Sequence, residues 1–349
     1  MTTVRTPLPL RTRPLVSVVV PHYNYGQYLP TSVGSVLAQE GVDVEVIVVD
    51  DTSTDGSVAV AREIAASDPR VTLVEHERNM RHIRTYNDGL GRARGDYVVL
   101  LSADDALAPG ALARAAALLE HDRRISLVYG LVTDFDGAPP AFTPTRSWWT
   151  VWEGEQWVGH VARRGRNIPT NPEVVMRRSV YDAIGGYEAA LPQAADMYMW
   201  LQAAARGRIG RVNGPVQAYY RQHDANMHNV QFGGNLDNWR SVLGTFDLFF
   251  REDGHLLRRP DRLRARADAA VAREVVLAST LLPPGPDGAE HRAQLLKLAQ
   301  EADPGVVRSP AWQWARLAGR AAHRSRLGVE AVESLRWKVR GQLLARFGT

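Results

Sequence analysis

Five short runs of apolar, mostly β-branched residues, separated by stretches of helical periodicity, occupy the first 130 residues and constrain what this chain can become. Val16–Val20, Val44–Val49, Val71–Val74, Tyr97–Leu101 and Ile125–Tyr129 read as strands. Between them, residues 26–39, 57–66, 80–94 and 109–120 carry apolar side chains at helical spacing, the last with Pro109 at its start. The strand runs are continuous rather than alternating, which is the pattern of strands buried on both faces. The alternation therefore predicts an α/β fold, a Rossmann-like, mostly parallel sheet flanked by helices. In such sheets ligands bind beyond the carboxyl ends of the strands, so chemistry is expected in the polar residues that follow each run.

The flanking sequence is different in kind. Residues 1–14 are a basic tail punctuated by proline, expected to be ordered only where it touches the body. Residues 134–172 are rich in Pro, Gly and Trp and give no clear periodicity. Strand-like segments return at Glu173–Met176 and Val216–Tyr220, with a Gly185-Gly186 turn and a helix over 196–206 between them. From about residue 230 the periodicity is helical, interrupted at Pro283–Pro286 and near Pro310. The expected organisation is a tail at 1–14, an α/β domain at 15–228 and a helical C-terminal region at 229–349.

Composition narrows the function classes. The 349 residues include no cysteine, which excludes a disulfide framework, a thiolate metal site and a cysteine nucleophile. The formal charge is only +4, and no zinc-finger, helix-turn-helix or RNA-binding aromatic pattern is present, so nucleic acid is not an expected partner. Lys297 and Lys338 are the only lysines; the arginine bias suits a GC-rich, bacterial coding sequence, or a choice of arginine for phosphate or anion binding. No apolar run approaches the roughly 20 residues of a membrane span, and the N-terminus lacks a secretory core, so a cytoplasmic location is expected.

Three of the strand ends carry polar clusters: Pro21-His22-Tyr23-Asn24, Asp50-Asp51-Thr52-Ser53-Thr54-Asp55-Gly56 and Ser102-Ala103-Asp104-Asp105. Taken alone, each Asp pair also suits a turn followed by a helix N-cap. Together they put carboxylates along one sheet edge, where they repel unless a hard cation such as Mg²⁺ or Mn²⁺ offsets the charge, usually together with substrate phosphates.

The order and spacing of these segments resemble family 2 glycosyltransferases. To the three clusters are added Asn79, Asn87 and Gly89 before the fourth strand, and Glu173–Ser179 and Gly185-Gly186-Tyr187 downstream. Asp196–Leu201 and Tyr219-Tyr220-Arg221-Gln222-His223 complete the resemblance, which spans roughly residues 15–228. It implies the GT-A fold and inverting transfer from a nucleoside-diphosphate sugar to an acceptor hydroxyl or amine. It implies donor-binding roles for Pro21, Tyr23, Asn24, Asp51, Asn79, Asn87, Asp104 and Arg221, with Tyr23 packing on the base and Asp51 accepting a hydrogen bond from it. A divalent cation, Mg²⁺ or Mn²⁺, would be held by Asp105 with Asp104 and, less strongly implied, His223; His228 is a second histidine in reach of the same role. Asp196 matches the general base, and the dipole of the helix it opens would favour its ionised form.

The chain departs from the family pattern at Ser102, where an Asp is common, at Tyr86, where Arg is common, and at Ala195, where an acidic residue usually precedes the base. Trp148, Trp149, Trp152 and Trp157 fall where acceptor-binding elements lie, and equally suit core packing. The helical region beyond 230 is compatible with covering the acceptor side, a homodimer interface or peripheral membrane contact, and its Arg-rich stretch 258–273 suits membrane contact or a solvated face. The acceptor is not specified. A catalytically silent nucleotide-sugar-binding module and another nucleotide-dependent transferase are the competing readings. The Gly89–Gly95 segment precedes a strand rather than following one, which argues against a dinucleotide loop, and no Walker-type Gly-Lys-Ser/Thr is present.

Overall fold

A computed structural model describes residues 2–223, 235–282 and 285–318. By internal packing the chain divides into two units, one of Met1–Trp157 with Pro169–Asp224 and one of Val158–Ile168 with the chain from Ala225 onward.

The first unit is built on one mixed sheet. Its strands are β1 (Thr3–Arg5), β2 (Leu15–His22), β3 (Asp43–Asp50), β4 (Val71–Glu75), β5 (Tyr97–Leu100), β6 (Ala106–Leu107), β7 (Ile125–Phe135), β8 (Trp148–Trp152), β9 (Val175–Arg177) and β10 (Arg208–Arg221). They lie in the order β1-β8-β10-β7-β9-β5-β2-β3-β4, with β6 added beside β10. β5, β2, β3 and β4 run parallel, as do β7 and β10. β9 enters antiparallel between β5 and β7, and β8, β1 and β6 are antiparallel additions. The expected parallel core is therefore present, and the antiparallel strands come from the segments whose pattern was least regular.

The helices are α1 (Leu29–Leu37), α2 (Ser57–Ser67), α3 (His82–Arg92), α4 (Ala111–His121), α5 (Gly154–Arg164), α6 (Arg178–Ile184) and α7 (Ala195–Arg206). Val16, Val18 and Val20 of β2 pack with Leu29, Val33 and Val36 of α1 and with Leu112 and Leu119 of α4 in one buried cluster. On the other face α3 lies close against the sheet. A Cβ on Gly89 would sit 2.4 Å from Val19 Cγ1 and 2.9 Å from Val49 Cγ2, so that position admits only glycine at this approach.

Two points the sequence reading left open are settled by the structure. The stretch without clear periodicity contains β8 and the whole of α5, and Trp149, Trp152 and Trp157 are buried at 2% exposure or less. Trp157 donates its indole N–H to the Tyr129 hydroxyl at 3.3 Å. These three rings pack the core instead of forming an acceptor platform, and only Trp148 is half-buried. The N-terminal tail is ordered at β1 because Thr3, Val4 and Arg5 pair with Val151, Thr150 and Trp149.

The second unit is helical: α8 (Asn235–Glu252), α9 (Pro260–Ser279), α10 (Pro286–Ala302) and α11 (Pro310–Ala318). Phe246, Phe249, Val271, Val275 and Leu295 are buried in it. Arg166 reaches the buried Glu274 at 2.8 Å and lies over the Trp239 ring. Among the described residues no helix is long and apolar enough to cross a membrane.

Candidate active site at the carboxyl edge of the sheet

Parallel pairing sets His22 at the end of β2 beside Asp50 at the end of β3. The imidazole Nδ1 lies 2.8 Å from Asp50 Oδ1. Ser53 donates its hydroxyl to the same oxygen at 2.6 Å and its backbone N–H to Oδ2 at 3.0 Å. Burial alone would raise the Asp50 pKa, but these hydrogen bonds outweigh it and hold the carboxyl below its ordinary range.

Asp51 follows with its own anchors. Its backbone N–H bonds to the His22 carbonyl at 2.9 Å. Its Oδ1 faces His76 Nδ1 at 2.8 Å and accepts the Met80 N–H at 2.7 Å. The Asn79 amide donates to the Asp51 carbonyl at 3.2 Å. Asn24 is clamped to the same loop, donating its backbone N–H to Ser53 Oγ and accepting the Thr54 N–H at 2.8 Å. Among the described non-glycine residues, Asn24, Thr52 and Arg81 have positive φ, and all three lie in these strand-end loops. Concentrated backbone strain of this kind persists where surrounding structure over-determines it. Pro21 lies within β2 opposite Val49, and the Tyr23 ring is 45% exposed beside the loop.

The second carboxylate pair is held from the opposite side. β6 begins directly after Asp105 and runs antiparallel to the end of β10, which sets Asp105 against Arg221. Arg221 donates its backbone N–H to Asp105 Oδ1 at 3.0 Å and its Nε–H to the Asp104 carbonyl at 2.8 Å. The rest of its guanidinium lies between the Tyr28 and Phe135 rings and bonds to the Gly137 carbonyl. This arginine, expected to face phosphate, is buried as a brace for the Asp pair. His223 Nε2 meets Asp104 Oδ2 at 2.9 Å, with its ring against Tyr25 and Tyr28. A cavity of about 370 Å³ opens here, lined by Gln27, Tyr28, Thr31, Arg221 and His223 among others. Asp105 Oδ2 is buried without a hydrogen-bond partner among the described residues. Burial, then the neighbouring charge of Asp104, push the Asp105 carboxyl well above the usual carboxylate range.

Asp196 is the second residue of α7, and its Oδ1 accepts the Met197 N–H at 2.7 Å. Burial, then the charges of Asp196, Asp104 and Asp105, raise the Tyr86 phenol above its ordinary pKa. Carboxylates from two separate stretches of sequence, Asp104-Asp105 and Asp196, thus act on one side chain of α3 through their charge. Asn87, one residue on, has both ends of its amide engaged, bonding the Tyr187 carbonyl at 2.8 Å and accepting the Tyr187 N–H at 2.7 Å. It ties α3 to the Gly185-Gly186 turn. His228 lies outside the described residues. Among the described residues no group of three or more His, Cys, Asp or Glu side chains stands ready to hold a metal.

Reading the sequence for strand ends passed over His76, which follows β4 as the other clusters follow their strands. That position was its available signal.

Residues 17–184 match the family model described as glycosyl transferase family 2. They are a family 2 glycosyltransferase domain. Among curated relatives, the succinoglycan biosynthesis protein ExoO of Rhizobium meliloti is 43% identical over 101 residues, 29% of this chain and 28% of ExoO. The chain spans about a third of the length of the first curated relatives it matches. Two solved structures share the GT-A fold of this family 2 domain. TarS of S. aureus, in complex with UDP-GlcNAc, superposes with a TM-score of 0.57 at 18% identity, over 83% of this chain and 90% of that one. The mannosyltransferase PcManGT of Pyrobaculum calidifontis, in complex with GDP-Man and Mn²⁺, gives 0.58 at 17% identity, over 99% and 91%.

Proposed function

We propose that this chain is an inverting glycosyltransferase that moves a sugar from a nucleoside-diphosphate sugar to an acceptor hydroxyl or amine. The observation that carries the reading is that the charges of Asp104, Asp105 and Asp196 all act on the buried Tyr86. Family membership of residues 17–184 and the nucleotide-sugar complexes of TarS and PcManGT support it. Asp51 reads the nucleobase and Tyr23 lies along it; Asp104 reaches the ribose. Asp105 Oδ2, buried and without a partner, fits a divalent cation, with Asp104 and His223 beside it. Bound there, Mg²⁺ or Mn²⁺ would offset the charge of the diphosphate.

Asp196 accepts the proton of the acceptor as its oxygen or nitrogen forms a bond to the anomeric carbon. The bond from that carbon to the diphosphate breaks, and its electron pair leaves with the nucleotide. One displacement with one base inverts the anomeric centre.

The decisive variant is Asp196→Asn. Its turnover with a panel of UDP-, GDP- and dTDP-sugars and Mn²⁺ is expected to fall by roughly 10²–10⁴, with nucleotide affinity retained. Full activity in that variant would remove the base assignment. Nucleotide binding without turnover in the wild type, by donor hydrolysis or by transfer, would favour the silent binding module instead.

A further inference from the structure

The nucleobase end of the site carries a restriction that the carboxylate alone would not impose. A carboxylate oxygen offers two lone pairs. Asp51 Oδ1 uses both, one toward His76 Nδ1 at 2.8 Å and one for the Met80 N–H at 2.7 Å. Since an ionised carboxylate only accepts, Nδ1 of His76 carries the hydrogen. The arrangement is itself braced. His76 Nε2 faces Asp88 Oδ2 at 3.3 Å, Arg92 holds that same oxygen at 3.2 Å, and the His76 backbone N–H bonds to the Asp50 carbonyl at 3.0 Å. Asp51 Oδ2 has no hydrogen-bond partner among the described residues, so one acceptor atom is left to read a base.

We propose that this edge selects a base with a single imide N–H, uracil or thymine, and that His76 is the positioning residue that enforces the choice by occupying Asp51 Oδ1. The inference rests on the reading of this edge as a nucleotide site. Guanine presents N1–H and an amino N–H side by side, a pair that matches both oxygens of a carboxylate. Here its second donor would meet a saturated oxygen and stay unpaired when desolvated. Adenine and cytosine set an unprotonated ring nitrogen beside their amino group, and that lone pair would face the carboxylate. Uracil and thymine offer one ring N–H between two carbonyls, which is what a single open acceptor suits.

The test is calorimetric titration of the full chain with UDP, dTDP, GDP, CDP and ADP, each with Mn²⁺. UDP and dTDP are expected to bind at least about tenfold more tightly than the other three. GDP, CDP or ADP binding as tightly as UDP would overturn the inference, and this comparison needs no variant. His76→Ala then frees a lone pair on Oδ1 and should narrow the preference for UDP over GDP. Equal weakening of every nucleotide would show His76 to be only a structural prop, against the proposal. If the wild-type chain binds none of the five, the nucleotide-site reading itself fails and this inference goes with it.

Discussion

Asp50-Asp51 and Asp104-Asp105 are the same dipeptide at the ends of two strands in the same sheet, yet their surroundings differ in sign. In the first pair, donors hold three of the four oxygens, with His22 and Ser53 on Asp50 and His76 and Met80 on Asp51 Oδ1, and only Asp51 Oδ2 is open among the described residues. Asp50 is stabilised as an anion by the protein alone. In the second pair one buried oxygen has no partner, the two carboxyls adjoin each other, and Asp196 adds its charge nearby. Arg221 gives its backbone N–H to Asp105 and bonds the Asp104 and Gly137 carbonyls with its side chain, and His223 meets Asp104 at 2.9 Å. Identical residues thus build a donor-held reader with one open oxygen at one end of the edge and an unbalanced anionic cluster at the other. An unbalanced buried cluster gains from a cationic ligand, whereas a donor-held one gains less from it.

Removing Asp105 should break the comparison most visibly. Asp105→Asn takes one negative charge from the cluster, so the apo protein should melt no lower than wild type. The added stability that Mn²⁺ and a bound nucleoside diphosphate give together should disappear. For a ligand present at a hundred times its Kd that contribution is about 2.7 kcal/mol, well within reach of a thermal-shift measurement. An unchanged Mn²⁺-dependent shift in Asp105→Asn would place the cation elsewhere.

The first pair should respond in the opposite way. Asp50→Asn leaves His22 and Ser53 facing a neutral amide in a buried position, a loss of roughly 2–3 kcal/mol in apo stability at neutral pH. The sign with pH follows from the depressed pKa of Asp50. A carboxyl whose folded pKa lies below its unfolded value contributes stability above the unfolded value, and loses it as pH falls through the folded one. The gap between wild type and Asp50→Asn should therefore be full at pH 7 and shrink below about pH 4. Urea melts of both proteins across that range check it, and a gap that widens in acid would contradict the assignment.

Much of this contrast could be read from the chain, and the limits have physical causes. The parallel strands were legible because buried strands need long β-branched runs, and Val16–Val20 and Val44–Val49 supply them. Both Asp pairs were legible because a strand end fixes where the next side chains stand. Only Val216–Tyr220 of β10 was legible, because Gly210, Asn213 and Gly214 interrupt the earlier part and its pairing with β7 shifts register more than once. β8 was hidden by its tryptophans, which suit a surface platform as well as a core until the burial of Trp149 and Trp152 decides it. The partners of each carboxylate could not be read at all. Nothing in the chain sets His76 on Asp51, or places the Arg221 guanidinium between Tyr28 and Phe135. Those depend on the register of β4 against β3 and of β6 against β10.

The smallest predicted effect probes how the first pair is held. Ser53 Oγ donates to Asp50 Oδ1 at 2.6 Å and accepts the Asn24 backbone N–H at 3.0 Å, so one hydroxyl links the loops after β2 and β3. Asn24 sits at φ 56°, a conformation that costs an L-residue and needs outside support. Ser53→Ala removes both bonds but leaves His22 on Asp50 and the Ser53 backbone N–H in place, so the carboxylate stays partnered. The expected loss is about 1 kcal/mol of stability, with the Mn²⁺-dependent nucleotide shift intact. Amide exchange should rise at Asn24 and remain low at Asp51, whose N–H is held by the His22 carbonyl. Loss of the nucleotide response along with that stability would mean the two ends of the edge are coupled through this hydroxyl, and the contrast between them would have to be redrawn as a single cooperative unit.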